Sequence, residues 1–202
     1  KTAGKICLTT LTDEKNKPWF QKLFAYRNYD GLLALTWSNK QDYAKKHGYH
    51  LYDESGLLDK KRPPAWTKVL AAQRLLKEEG CDWVVWLDAD TVIMNSKIKI
   101  ESFLPASNTT DFLIVEDNGG GYNSGVWAIR NSPWSLQFLE EWYAMKDYVR
   151  PPGAAKSGDN YSLKDKLKDM PDFDKKVGVP PRCTFNSFAK FIRPQQYEHH
   201  AL

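Results

Sequence analysis

Cysteine, histidine and long apolar runs are all scarce in this chain, which has 3 cysteines and 4 histidines among 202 residues. Cys7, Cys81 and Cys183 are too few and too widely spaced for a disulfide framework or a zinc site. Cys7 lies in an apolar stretch and reads as a small core residue. The odd count leaves the redox compartment open. The longest apolar run, Trp83–Leu87, is far shorter than the ~20 residues needed to cross a bilayer, which excludes a membrane span within the chain. No signal peptide precedes the first strand, Lys5-Ile6-Cys7-Leu8-Thr9-Thr10, so a targeting segment is expected upstream. Internal repeats, low-complexity tracts and blocks of one charge are also missing. The 29 Lys and Arg are interspersed with 25 Asp and Glu, for a net charge of +4. That balance favours anionic ligands mildly and excludes a nucleic-acid footprint.

What is present is a composition of 42% hydrophobic, 13% aromatic and 27% charged residues, typical of a globular chain of one domain. The stretch Trp83–Asn95 organises the rest. Its apolar run is β-branched and aromatic, is bounded upstream by Gly80, and reads as a strand buried on both faces. It ends in Asp88-Ala89-Asp90. Open α/β sheets bind ligands outside the carboxyl ends of their strands. Two carboxylates held together by a rigid strand repel each other unless a cation or firm hydrogen bonds offset the repulsion. The pattern points to a metal or a nucleotide. A second Asp-x-Asp, Asp172-Phe173-Asp174, follows Pro171, runs into Lys175-Lys176, and reads as a solvated surface segment.

Taken in order, Trp19, Phe20, Leu23 and Phe24 fall at helical spacing. A helix over Leu32–His47 follows, with Leu33, Trp37 and Ala44 on one face and Gly48 at its end. Tyr49–Tyr52 is a short strand, and strand, helix and strand imply a right-handed crossover and a parallel pairing. Pro63-Pro64 starts the next helix, with Trp66, Val69, Leu70, Gln73 and Leu76 as its apolar face. Lys68, near its start, either presents a cation to a ligand or lies on the surface. Phe112–Val115 is another strand, followed by Glu116-Asp117 and the glycine-rich Asn118–Gly125, which suits either close approach to a ligand or a flexible hairpin. Val126–Arg130 is a strand. Ser132 caps and Pro133 opens a helix whose stripe is Trp134, Phe138, Leu139, Trp142 and Tyr143. Asp159-Asn160 precedes an amphipathic helix through Leu163 and Leu167, with Asp159 placed as an N-cap. Val177–Pro180 is a last short strand. The result is an α/β fold with a mostly parallel, Rossmann-like central sheet and helices on both faces.

With these pieces in place the chain resembles the GT-A type of nucleotide-sugar glycosyltransferase, and more narrowly glycosyltransferase family 34. The resemblance rests on Tyr43-Ala44 with His47-Gly48-Tyr49, on Trp66-Thr67-Lys68, and on Trp83–Asn95. It continues through Asn123-Ser124-Gly125, Ile129-Arg130-Asn131, Trp134-Ser135-Leu136 and Asp159–Leu163, in collinear order. It implies a retaining transferase that moves a hexose or pentose from a nucleotide sugar, a UDP-sugar before GDP-mannose, to an oligo- or polysaccharide acceptor. It implies that Asp88 and Asp90 bind Mn2+ or Mg2+. Lys68, Ala89, Asn123, Ser124 and Gly125 would join them around the donor, and Asp159 and Asn160 would serve the transferred sugar. It also implies a full-length type II membrane protein of the Golgi lumen. A family histidine that completes the metal site, in a His-Phe-x-Gly context, has no counterpart in Tyr197–Leu202. Either the chain stops short of it, which is the favoured reading, or His199 or His200 substitutes for it, or the metal site is incomplete.

Other readings stay open. Glu116 or Asp117 could be the carboxylate an inverting enzyme needs. A glycogenin-like GT-A enzyme, a carbohydrate- or calcium-binding module, and a GT-A-like domain that binds nucleotide without turnover are the rivals. Of the two N-glycosylation sequons, Asn160-Tyr161-Ser162 lies inside a site motif and is expected to be bare. Asn108-Thr109-Thr110 is the expected acceptor.

Overall fold

A computed structural model describes residues 4–14, 30–59, 61–150, 155–156 and 158–187. Trp83–Leu87 forms strand β3 and is buried along its whole length, because each face of the sheet has its own cover. Val84 and Trp86 point into one apolar layer, and Trp83, Val85 and Leu87 into the other. The remaining strands are β1 (Ile6–Thr10), β2 (His50–Asp53), β4 (Phe112–Glu116), β5 (Tyr122–Arg130) and β6 (Val177–Gly178). The order across the sheet is β2-β1-β3-β5-β4-β6. β1 pairs in parallel with β2 and β3, and β4 with β6; β5 alone runs antiparallel, between β3 and β4. The sheet is mixed but mostly parallel, as expected.

The helices are α1 (Leu32–His47), α2 (Thr67–Lys77), α3 (Pro133–Ala144), α4 (Asp159–Lys168) and the short α5 (Phe173–Lys176). α2, α3 and α4 cover the layer that holds Trp86 and Trp127, while α1 contributes Tyr43 and Ala44 to the opposite layer. Caps set the helix ends. Gly48 adopts φ 74° and donates its N–H to Ala44 O, ending α1 where a side chain would be strained. Ser132 Oγ accepts from Ser135 N at 3.1 Å, a cap worth about 1 kcal/mol to α3. Trp66, Trp83, Trp86, Trp127 and Trp142 are all buried, so they are core rather than a stacking platform for sugars.

Several expectations are corrected. The buried face of α1 is Leu33, Thr36, Lys40, Tyr43 and Ala44, with Trp37 only half-buried. Hydrophobicity alone put the face one position off, because Thr36 and Lys40 turn inward toward backbone carbonyls. In α2 the buried set is Thr67, Lys68, Val69, Ala71, Ala72, Leu75 and Leu76, while Leu70 and Gln73 sit at its margin. The glycine-rich stretch is a hairpin: Gly120 and Gly121 take positive φ between β4 and β5, and β5 begins at Tyr122, so Asn123-Ser124-Gly125 lie on a strand. Cys7 is a buried core residue, as read, and in addition it forms a disulfide with Cys81 across 74 residues, which was not anticipated. Parallel pairing of β1 with β3 sets Cys7 opposite Val84, close to the turn that carries Cys81, a proximity that sequence spacing conceals. Asp172 and Asp174 are exposed around α5, as read. The expected helix near Trp19–Phe24, and His199 and His200, lie outside the described residues.

Candidate functional site

β3 ends at Leu87, and the next four residues turn sharply. Thr91 donates to Asp88 O from its backbone N–H (3.0 Å) and from its hydroxyl (2.7 Å), while Asp88 N–H donates to Gly125 O on β5 (2.8 Å). This turn delivers Asp88 and Asp90 to the carboxyl end of the sheet. Two cavities meet there. One, about 400 Å³, is lined by Leu11 and Thr12 just after β1, by Lys68, and by Asp159 with Asn160. The other, about 610 Å³ and largely apolar, lies over the opposite sheet face. Asp88, Asp90, Asn123 and Gly125 line both.

Lys68 is the hub of the polar cavity. It does not lie on the surface: it is 3% exposed, and its ammonium reaches Asp159 Oδ2 at 2.9 Å, Ser124 O at 3.1 Å and Asp88 Oδ1 at 3.2 Å. Those three acceptors use all three of its N–H donors. Burial acts to lower its pKa, but Asp159 and then Asp88 outweigh burial and hold it above the ordinary lysine value. Asp88 Oδ1 also accepts from Trp86 Nε1 at 2.7 Å. Its pKa is raised, first by burial and then by Asp159, against the pull of Lys68. The side chain nevertheless keeps 36% of its surface open toward the cavities.

Asp159 is not an N-cap. Gly158 takes the cap position, and the Asp159 carboxylate turns inward to accept from Ser124 Oγ at 2.8 Å as well as from Lys68. Asn160 Oδ1 accepts from Ser124 N at 2.9 Å, so one serine of β5 ties the start of α4 to the sheet. Gly125 is needed for space rather than for φ. A Cβ there would stand 2.8 Å from Asn123 Oδ1 and 3.1 Å from Asp88 Oδ2. Asn123 Oδ1 accepts from Gly125 N (2.8 Å) and from Asn186 Nδ2 (3.1 Å). Ala89 contributes its backbone carbonyl, which faces α1. All nine residues expected at the site, Lys68, Asp88, Ala89, Asp90, Asn123, Ser124, Gly125, Asp159 and Asn160, are thus gathered at one place.

Glu116 and Asp117 are elsewhere. Glu116 faces Arg182 at 3.7 Å, Asp117 pairs with Lys164 at 3.3 Å, and neither lines the cavities at Asp88. Sequence reasoning missed Lys40, Thr36 and Asn39 on α1. The available signal was a lysine four residues from Thr36 and Ala44, on the inward stripe of an amphipathic helix.

Three carboxylates (Asp88, Asp90, Asp159) face two buried ammoniums (Lys40, Lys68) at this end of the sheet. Among the described residues no hydrogen bond or ion pair reaches the Asp90 carboxylate, which is exposed to the cavity. The donor set is all hard oxygen. No cluster of three or more His, Cys, Asp or Glu that could cage a metal occurs among the described residues. Two carboxylates with a charge left over fit a Mg2+- or Mn2+-type ion, a hard cation that protein sites commonly hold through only one or two carboxylates.

An α/β sheet of this topology, with its acidic turn at the carboxyl end, is the GT-A glycosyltransferase fold. A solved glycosyltransferase involved in the glycosylation of the major capsid of PBCV-1 superimposes with a TM-score of 0.63 over 89% of this chain and 84% of its own, at 16% identity. The chain belongs to the galactosyl transferase GMA12/MNN10 family, glycosyltransferase family 34, whose model matches residues 3–108. Galactomannan galactosyltransferase 1 of Cyamopsis tetragonoloba is 30% identical over 74% of this chain and 36% of its own length. A probable xyloglucan 6-xylosyltransferase 1 of Oryza sativa subsp. indica is 29% identical over 72% and 33%. The probable alpha-1,6-mannosyltransferase MNN10 of Saccharomyces cerevisiae is 28% identical over 78% and 48%. The chain therefore spans between about a third and a half of the length of these relatives.

Proposed function

We propose that residues 1–202 form one transferase domain that moves a hexose or pentose from a nucleotide sugar, a UDP-sugar before GDP-mannose, to a glycan acceptor with retention of configuration. The observation that carries this reading is the convergence of Lys68, Asp88, Asp90 and Asp159 on one cavity at the carboxyl end of the sheet. Asp88 and Asp90 would hold Mn2+ or Mg2+, which neutralises charge that builds on the departing nucleoside diphosphate. The polar cavity beside Leu11 and Thr12 would take the nucleoside. Asn123, Ser124, Gly125 and Asn160 would border the sugar.

Asp159 would face the sugar's hydroxyls or its anomeric carbon, held in place by Ser124 and Lys68. Transfer breaks the bond from the anomeric carbon to the phosphate oxygen and makes one to an acceptor hydroxyl oxygen on the same face. The departing phosphate oxygen takes the acceptor proton, so no strong protein base is required. The pairing of Glu116 and Asp117 away from the cavities supports retention over inversion. The Cys7–Cys81 disulfide supports an oxidising compartment, in keeping with a lumenal Golgi enzyme. No helix among the described residues is long and apolar enough to cross a membrane, so a type II anchor would belong to other parts of the polypeptide.

Calorimetric titration of UDP, then GDP, with and without Mn2+, on wild type and Asp90→Ala tests this reading. Mn2+-dependent binding that is lost in Asp90→Ala is the expected result and identifies the nucleotide. Binding of neither nucleotide in Mn2+ would overturn it.

A further inference from the structure

Ala89 and Thr91 flank Asp90, and their carbonyl oxygens converge on one buried ammonium. Lys40 Nζ donates to Thr91 O at 2.6 Å and to Ala89 O at 3.4 Å. One turn earlier on α1, Thr36 Oγ1 donates to the same Ala89 O at 2.6 Å. Asn39 grips Ile93 in both directions, donating from Nδ2 to its carbonyl (3.0 Å) and accepting its N–H at Oδ1 (2.6 Å). One face of α1 thus holds the acidic turn by its backbone.

The two carboxylates are held in different ways. Asp88 is fixed through its side chain, by Trp86 and Lys68. Asp90 has no such partner among the described residues, so its position depends on the peptide units on either side of it. We propose that Lys40 is a positioning residue: by joining the carbonyls on both sides of Asp90, together with Thr36, it sets where the Asp90 carboxylate stands relative to Asp88. The inference rests on the reading of Asp88 and Asp90 as metal ligands.

A charge at this place is poorly explained by stability. The Lys40 side chain is fully buried, and burial lowers its pKa to about 8 even though Asp90 and Asp88 oppose the shift. Buried charges are a weak source of stability compared with apolar residues of similar volume. What an apolar residue lacks is the pair of hydrogen bonds across Asp90.

The sign of the effect on metal binding distinguishes positioning from simple electrostatics. Removing a positive charge beside two carboxylates strengthens cation binding by Coulomb's law. Loosening the support of a ligand weakens metal binding, typically by about 10–100-fold. Mn2+ binding would be titrated by electron paramagnetic resonance in the presence of UDP on the full chain as wild type, Lys40→Met, Thr36→Val and Asp90→Asn, with a melting curve for each. Lys40→Met is expected to bind Mn2+ about 10–100-fold more weakly. Thr36→Val, which leaves every charge in place, should lose about 5-fold, the equivalent of one hydrogen bond, with the melting temperature lowered by no more than about 2–4 °C. Wild-type or tighter affinity in Lys40→Met overturns the proposal, and if that variant does not fold, wild-type affinity in Thr36→Val does so. No binding in wild type, or undiminished binding in Asp90→Asn, overturns instead the metal-site reading on which the proposal rests.

Discussion

Replacing Lys68 by methionine removes one charge from the centre of the site and changes little else, since the two side chains have similar length. Three acceptors lose the ammonium, Asp159 Oδ2, Ser124 O and Asp88 Oδ1, although Asp159 keeps Ser124 Oγ and Asp88 keeps Trp86 Nε1 as neutral donors. Asp159 is 11% exposed and cannot recover the interaction from water. Stripping one partner from a buried ion pair costs about 3–5 kcal/mol. Asp88 is 36% exposed, so solvent screens part of its loss and the lower end of that range applies, about 3 kcal/mol. For a chain of this length each kcal/mol shifts Tm by about 2–4 °C, so a fall of about 6–12 °C is expected. Urea denaturation followed by tryptophan fluorescence suits the measurement, because the Lys68 ammonium lies 5.4 Å from the centroid of the Trp86 ring. Lys68→Met/Asp159→Asn should regain about 1–3 kcal/mol relative to additivity, because the double variant no longer buries an unpaired carboxylate. A loss below about 1 kcal/mol in the single variant, or strict additivity in the double, would refute the ion pair on which the site's geometry depends.

Further outcomes follow from the same structure. Cys7→Ala/Cys81→Ala should lower the unfolding free energy by about 2–4 kcal/mol, because the bond closes a long loop in the unfolded chain; equal urea midpoints for oxidised wild type and the double variant would contradict this. The Lys40 pKa is lowered on folding, from the ordinary 10.5 to about 8, so between those values the unfolded chain binds more protons and stability rises with pH. Below pH 8 both states are protonated and the burial penalty is fully present. Wild type should therefore gain on the order of 2–3 kcal/mol relative to Lys40→Met between pH 7 and 10.5, read from paired urea titrations; a flat difference would show that the ammonium is not buried. Asp90→Asn, at an exposed carboxylate, should change stability by no more than about 0.5 kcal/mol, checked by its melting curve. Expressed in a glycosylating host, the protein should carry glycan at exposed Asn108 and none at Asn160, whose carboxamide is bound to Ser124 N; peptide mass spectrometry reads both sites.

The order of strands and helices was readable from the residues because it depends on local signals. Gly48 and the Ser132-Pro133 pair marked helix ends, and the run Trp83–Leu87 before two aspartates marked the central strand and its functional end. Residue type and position pointed to Asp88 and Asp90, and the resemblance to glycosyltransferase family 34 added Asn123–Gly125 and Asp159-Asn160 to the same site. What each residue does there was less accessible. Asp159 read as a cap and Lys68 as a surface lysine are both sound local readings, since a helix start favours an aspartate and a helix favours exposed lysines.

Sequence by itself determined the periodic elements, their punctuation and the acidic turn, because φ/ψ preference and amphipathic period act over a few residues. Only the tertiary structure decided which charges went inside. Lys68, Asp88 and Asp159 come from α2, the end of β3 and the start of α4, and each can be buried only because the others are there. The same holds for Lys40 and the carbonyls beside Asp90, for the Cys7–Cys81 bond, and for the reversed direction of β5 that brings Ser124 to Asp159. Burial of a polar group is a property of its partners, and those partners are set by how remote segments cross the sheet.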